Sequence, residues 1–203
     1  MIITIGREHG SNGHLIASAL GKELGFRCLD KEIVDRAADD SSFNKAILAS
    51  YDEKRISPYI SSAPHYMGMG EGFRLSTQIA AAQFDAIRNL AEEGDSIFVG
   101  RCADYVLRNR KDLLRVFIMA PFEFRVRTMM ERQGLTEDQA RRLIKQVDKD
   151  RSSYYKYYTD QSWGDIDNYD LCINSAITGI DGAVMAIAGV VRSQLKTEKK
   201  TLF

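Results

Sequence analysis

The chain has 203 residues, 44% of them hydrophobic and 28% charged, with 28 basic residues matched by 28 acidic ones. This composition excludes a disordered or fibrous chain, and the zero net charge gives no global reason to expect nucleic acid or an anionic membrane as partner. The length suits one α/β domain carrying an insertion.

Ile2 to Ile5 is a β-branched run without alternation, read as a strand buried on both faces. It is too short, and too poor in basic residues, for a leader or a spanning helix. From Asn12, apolar residues recur at helical spacing to Leu24, where Gly25 supplies the stop. Phe26 to Leu29 predicts a second strand and Lys31 to Ala38 a helix that closes at Asp39–Ser42. Tyr51 to Gly72 contains Pro58, Pro64, Gly68, Gly70 and Gly72 without clean periodicity, and is expected to be an irregular excursion. Phe73 to Glu93 predicts a long helix with Leu75, Ile79, Ala82, Ala86, Ile87 and Leu90 on one face.

Ser96–Val99 and Leu113–Met119 repeat the pattern of a buried strand, the first ending in Gly100, the second followed by Pro121 at the start of a helix over Phe122–Gln133. Thr136 is placed as the N-cap of a further, strongly basic helix. Tyr169–Asn174 predicts the last strand and Asp181–Leu195 the last helix, with a polar tail Lys196–Lys200 expected to fray. Strands alternating with helices imply a mostly parallel sheet of about five strands covered on both faces.

Gly6, Arg7, Glu8, His9, Gly10, Ser11, Asn12, Gly13 and His14 join the first strand to the first helix. Backbone N–H groups and a helix dipole converge on a phosphate at such a place. The usual phosphate-loop pattern puts a Lys and a nearby Ser or Thr at the helix start. Here Gly13 and Leu15 hold those positions, leaving Arg7, Ser11 and His14 as nearby substitutes. Read alone, the glycines equally suit a tight strand-to-helix turn.

Thr4 to Gly13 resembles the opening of the cytidylate kinase-like family, commonly Gly-Arg-Glu-aromatic-Gly-Ser-Gly-Gly, with His9 and Asn12 as departures. The resemblance continues through Leu29–Glu32, Phe98–Tyr105, the Tyr154–Tyr158 segment and Asn168–Asn174. It implies an α/β, three-layer P-loop kinase fold with a five-stranded mostly parallel sheet, a helical insert and a helical lid. In these terms the chain is a single domain with its core at about 1–38, 94–134 and 165–195, an acceptor-binding insert at about 39–93 and a lid at about 135–164. The implied activity is transfer of the ATP γ-phosphoryl group to CMP, dCMP or a related small acceptor, with Mg²⁺ held through the nucleotide phosphates. The missing lysine keeps a second reading open, a nucleotide-binding regulatory protein without turnover.

Arg101, after the third predicted strand, suits a phosphate or carboxylate, or else an internal salt bridge. Arg142 and Arg151, with Lys156 behind them, are the expected lid cations, although Glu137, Asp138, Asp148 and Asp150 intersperse with the basic residues and also fit a solvated, self-paired helix face. Asp30, Arg74 and Asp104 are assigned to the acceptor; Asp30 fits a helix N-cap equally well. The aromatic residues Tyr154, Tyr155, Tyr157, Tyr158 and Trp163 are expected to pack against the core or a second subunit, so a homodimer stays open. A nucleic-acid-binding module is disfavoured by the balanced charge. Cys28, Cys102 and Cys172 lack C-x-x-C spacing, which favours reduced thiols and a cytoplasmic setting, and His9 and His65 lack partners for a zinc site.

Overall fold

The computed structural model describes residues 1–54 and 69–201, with side chains over 1–54 and 74–194. Five parallel strands, β1 (Ile2–Arg7), β2 (Arg27–Leu29), β3 (Ser96–Val99), β4 (Leu113–Met119) and β5 (Leu171–Asn174), form one sheet in the order β2-β3-β1-β4-β5. The central strand β1 pairs Ile2 with Ser96 on one side and with Leu113 on the other. Ile2, Ile3 and Ile5 put apolar side chains on both faces because both faces are covered. Ile3 and Ile5 point into a cluster with Ile97, Val99, Val116 and Ile118, closed by Ile16, Ala17 and Leu20 of α1 (Gly13–Leu24) and by Ile187 and Val191 of α8 (Ser175–Thr201). Ile2 and Phe98 point the other way, onto Ile33 of α2 (Lys31–Asp39) and Ile87 and Leu90 of α4 (Met69–Glu92). The result is the three-layer arrangement expected.

Helix ends follow local chemistry. Gly25 ends α1 with φ 70° and its N–H on the Gly21 carbonyl, the left-handed stop that glycine supplies without a Cβ penalty. Thr136 caps α7 (Glu137–Thr159) in a reciprocal capping box with Gln139. Between them, α6 (Phe122–Gln133) starts directly after Pro121.

Several elements differ from expectation. A short helix, α3 (Lys45–Tyr51), was not assigned from sequence; its N-cap Asn44 accepts a bond from the Ala46 N–H, and it buries only Leu48. Helix α4 begins at Met69 rather than Phe73. The remainder of the excursion expected over Tyr51–Gly72, with Pro58, Pro64 and His65, lies outside the described residues. The last helix begins at Ser175, where Asn174 Oδ1 accepts the Ala176 N–H, breaks at Gly179 (φ 65°), and stays helical through the tail to Thr201. By length and composition alone Ser175–Gln194 would cross a membrane, yet Ala183, Ile187, Ala188 and Val191 are core residues against α1 and the sheet.

Candidate active site

In an open parallel sheet, ligands sit at the carboxyl ends of the strands where the chain departs to opposite sides. Here that place lies beyond β1, between β3 and β4. Strand β1 extends through Arg7, so Gly6 and Arg7 belong to the strand and the turn proper is Glu8–Asn12. Gly6 makes room for aromatics, since a Cβ there would lie 2.8 Å from the Phe117 ring. Ser11 is fully buried and its hydroxyl donates to the Glu8 and Ile118 carbonyls, so it braces the turn rather than facing the crevice. Arg125 of α6 donates to the His9 carbonyl at 3.2 Å and to Asp148 at 2.5 Å, while Asp148 accepts the His9 N–H at 2.8 Å. The turn is thereby tied to α7.

Helix α1 opens with Asn12 in a left-handed conformation (φ 62°) and no side-chain cap. Its first-turn N–H groups are left for an anion. A Cβ on Gly13 would lie 2.4 Å from Arg7 Cβ. Glycine at the position usually held by lysine thus lets the Arg7 side chain cross the helix start, so the cation comes from the strand instead.

Beyond Arg7 lies a cluster of six charges. Glu53 Oε1 accepts from Arg7 Nη1 at 2.6 Å and from the Arg101 N–H at 2.9 Å, and its Oε2 accepts from Arg151 Nε at 3.1 Å. Arg101, 4% exposed, donates in bidentate fashion to Asp52 at 2.8 and 2.5 Å and to Asp30 at 2.7 Å. Asp30 stands at the N-cap position of α2 without capping it; its other oxygen lies 2.9 Å from His14 Nδ1. Burial alone would raise the Glu53 and Asp30 carboxyls, but the arginines around each outweigh it and hold both below the usual carboxylate range. His9 goes the other way, lowered to about 4 by burial and by Arg151, Arg7 and Arg125. The chain turns sharply here, with positive φ at Gly100 (75°), Arg101 (54°) and Cys102 (56°) in succession, before the short helix α5 (Ala103–Val106). Two open depressions adjoin at this point, beside a small, more enclosed cavity of about 20 Å³ lined by Gly6, Arg7, Glu53, Arg101, Asp104 and Arg151. One, of about 270 Å³, is lined by the turn, Asn12, Gly13, His14 and Arg132. The other, of about 400 Å³, is lined by Lys31, Asp52, Glu53, Lys54 and Arg101. Arg7, Asp30 and Arg151 line both.

The model of the cytidylate kinase-like family matches residues 2–177. The chain belongs to that family. A cytidylate kinase from Methanopyrus kandleri is 28% identical over 119 residues, a match spanning 55% of this chain and 62% of that kinase's length. The crystal structure of an uncharacterised protein from Eubacterium ventriosum superposes with a TM-score of 0.71 at 28% identity, covering 95% of this chain and 99% of that one. Shikimate kinase from Bacteroides thetaiotaomicron, at 12% identity, gives 0.55 over 95% and 98% of the two chains, a likeness of fold alone. The sheet order and these neighbours establish the P-loop kinase fold.

In this cytidylate kinase-like chain the structure gathers Arg7, Gly10, Asn12, Gly13, His14, Asp30, Arg101 and Arg151 at the crevice. It does not bring Arg142 there: that side chain is 74% exposed and pairs with Asp138 one turn earlier. Lys156 likewise pairs with Asp160, and Arg74 is exposed on α4. Asp104 is buried and accepts the Tyr155 hydroxyl at 2.7 Å, so its carboxylate is engaged by α7. Tyr154 and Tyr155 pack against Cys102, Phe84 and Trp163 in the core, as the packing expectation had it. Sequence reading missed Asp52, Glu53, Arg125, Arg132 and Asp148. The aperiodic segment around Glu53 carried no signal, whereas Asp148, three residues before Arg151, was visible as a same-face partner.

Proposed function

We propose that the chain is an ATP-dependent phosphotransferase whose donor phosphates lie against the uncapped start of α1 and whose acceptor occupies the neighbouring depression. The observation that carries this reading is the pair of cavities meeting at Arg7 and Arg151. Phosphoryl transfer needs donor and acceptor in line, with cations at the junction to neutralise the equatorial oxygens, and no covalent intermediate. Arg7 and Arg151 stand at that junction; the backbone of Gly10 to His14 receives the donor, and Arg101 with Asp30 shapes the acceptor side. CMP or dCMP is the acceptor we infer, supported by the family and by the Methanopyrus kandleri relative. Among the described residues no group of three His, Cys, Asp or Glu side chains is disposed to hold a metal ion, and Leu15 stands where a hydroxyl ligand would. The proposal therefore has Mg²⁺ arriving on the nucleotide oxygens and routes no step through a protein-held ion. The three free thiols, Cys28, Cys102 and Cys172, support a reducing, cytoplasmic setting.

The same absence of a lysine and a hydroxyl at Gly13 and Leu15 favours a second reading, nucleotide binding without turnover. Radiolabelled ATP assayed against nucleoside monophosphates and small alcohols, beside calorimetric titration of ATP and CMP, separates the two. Labelled product with CMP bears out the transferase. Binding of both nucleotides without product from any acceptor establishes the second reading.

A further inference from the structure

Glu53 stands where the chemistry of the crevice suits a phosphate. Its two oxygens receive the Arg7 guanidinium at 2.6 Å, the Arg101 backbone N–H at 2.9 Å and the Arg151 guanidinium at 3.1 Å. Planar guanidinium forks joined by a main-chain N–H form an arrangement that binds any oxyanion, phosphate as well as carboxylate. Glu53 reaches it at a cost, with a left-handed φ of 50°, a conformation disfavoured for a residue bearing a Cβ. Space for the contact comes from Gly100: a Cβ there would lie 1.9 Å from both Arg7 Nη1 and Glu53 Oε1. The site is thus shaped around the meeting of an arginine with an anion, and that anion is carried by the chain itself.

The charge balance points the same way. Three guanidiniums, Arg7, Arg101 and Arg151, face three carboxylates, Asp30, Asp52 and Glu53, and the cluster is neutral as it stands. A phosphomonoester brings a charge of roughly −1.5 to −2. Added beside Glu53, it would meet the three carboxylates with their guanidiniums already paired and, among the described residues, only Lys31 and Lys54 of the same depression to offset it; in place of Glu53, it takes over the same donors with more oxygens and more charge. Asp52 and Asp30 remain on the Arg101 guanidinium, and the Arg101 backbone N–H stays at the site.

We propose that Glu53 is an internal occupant of the acceptor-phosphate position, a tethered carboxylate that competes with a phosphomonoester and holds the resting chain self-inhibited. The proposal rests on the reading of the 400 Å³ depression as the acceptor side. Acceptor binding then includes displacement of the Glu53 side chain, and removal of its charge raises anion affinity.

The test is calorimetric titration of inorganic phosphate and of CMP into the full chain, at constant ionic strength against chloride, for the wild type, Glu53→Gln and Asp170→Asn. Asp170 pairs with Arg115 away from the crevice and serves as the control for loss of an ion pair. Expected is phosphate binding at least tenfold tighter in Glu53→Gln than in the wild type, with Asp170→Asn unchanged and with phosphate raising the thermal midpoint of Glu53→Gln more than that of the other two. Equal or weaker phosphate affinity in Glu53→Gln overturns the proposal. Should Glu53→Gln fail to fold, Glu53→Asp, which keeps the charge and shortens the reach, is read the same way: tighter phosphate binding than wild type supports occupancy, equal or weaker binding overturns it. A tenfold gain with no transfer activity in any variant supports occupancy and counts against the kinase reading, so the two fail separately.

Discussion

The two halves of α7 each carry two acidic and three basic residues and meet opposite fates. In the first half, Arg141 pairs with Glu123 and Glu137, and Arg142 with Asp138, all at the surface. In the second half, Asp148 and Arg151 reach the turn and Glu53, while Tyr154 and Tyr155 are buried. The basic residues of a helix thus acquire a site only where the helix crosses the ends of the strands. Exposed pairs of the first kind contribute little to stability, being screened by solvent and salt. Charges of the second kind are desolvated, and removal of one partner leaves the other buried and alone.

The largest stability effect separating the halves is expected at Tyr155. It is 4% exposed and donates to buried Asp104. Tyr155→Ala removes a packed ring and strands that carboxylate, with an expected loss of about 3–5 kcal/mol in chemical denaturation. A loss below about 1 kcal/mol would show that the second half is not held as described. Next comes Arg125, which holds the turn to α7 through His9 and Asp148. Arg125→Met is expected to cost about 2–3 kcal/mol in the same measurement, because Asp148 keeps its charge without its partner.

A smaller effect follows from His9, whose backbone N–H meets Asp148 of the second half. Its imidazole is lowered to about 4 from an ordinary 6.5, by burial first and by Arg151 next. Above pH 6.5 it is neutral folded or unfolded. As pH falls from 6.5 toward 4 the unfolded chain takes up a proton that the folded chain refuses, so stability declines, by no more than about 1.4 kcal/mol per pH unit. His9→Gln should flatten the decline that sets in as pH falls below 6.5. An unchanged slope would remove His9 as its source.

Much of the architecture was legible in the sequence for reasons that are local. Ile2 to Ile5 could only be a doubly buried strand, and Gly25 and Thr136 mark helix ends through backbone freedom and capping chemistry. The turn was legible as a place, and less so in its parts: Ser11 braces the turn, and the role of Gly13 emerges only when the Arg7 side chain is seen crossing it. Arg142 could have been set aside from spacing alone. It precedes Arg151 by about two and a half helical turns, which puts the two on opposite faces, whereas Asp148, Tyr154 and Tyr155 share the face of Arg151. Glu53 was invisible because its significance lies in three arginines distant in sequence, brought around it by β1, the end of β3 and α7.

The central claim is that Arg151, and not the equally basic Arg142, works at the junction of donor and acceptor. The direct measurement is transfer of labelled phosphate from ATP to CMP by the wild type, Arg151→Ala and Arg142→Ala, with folding of each checked by circular dichroism. The expected result is transfer by the wild type, a loss of at least about 100-fold in kcat for Arg151→Ala, and wild-type turnover for Arg142→Ala. Full turnover by a folded Arg151→Ala variant, or an equal loss in both, would contradict it.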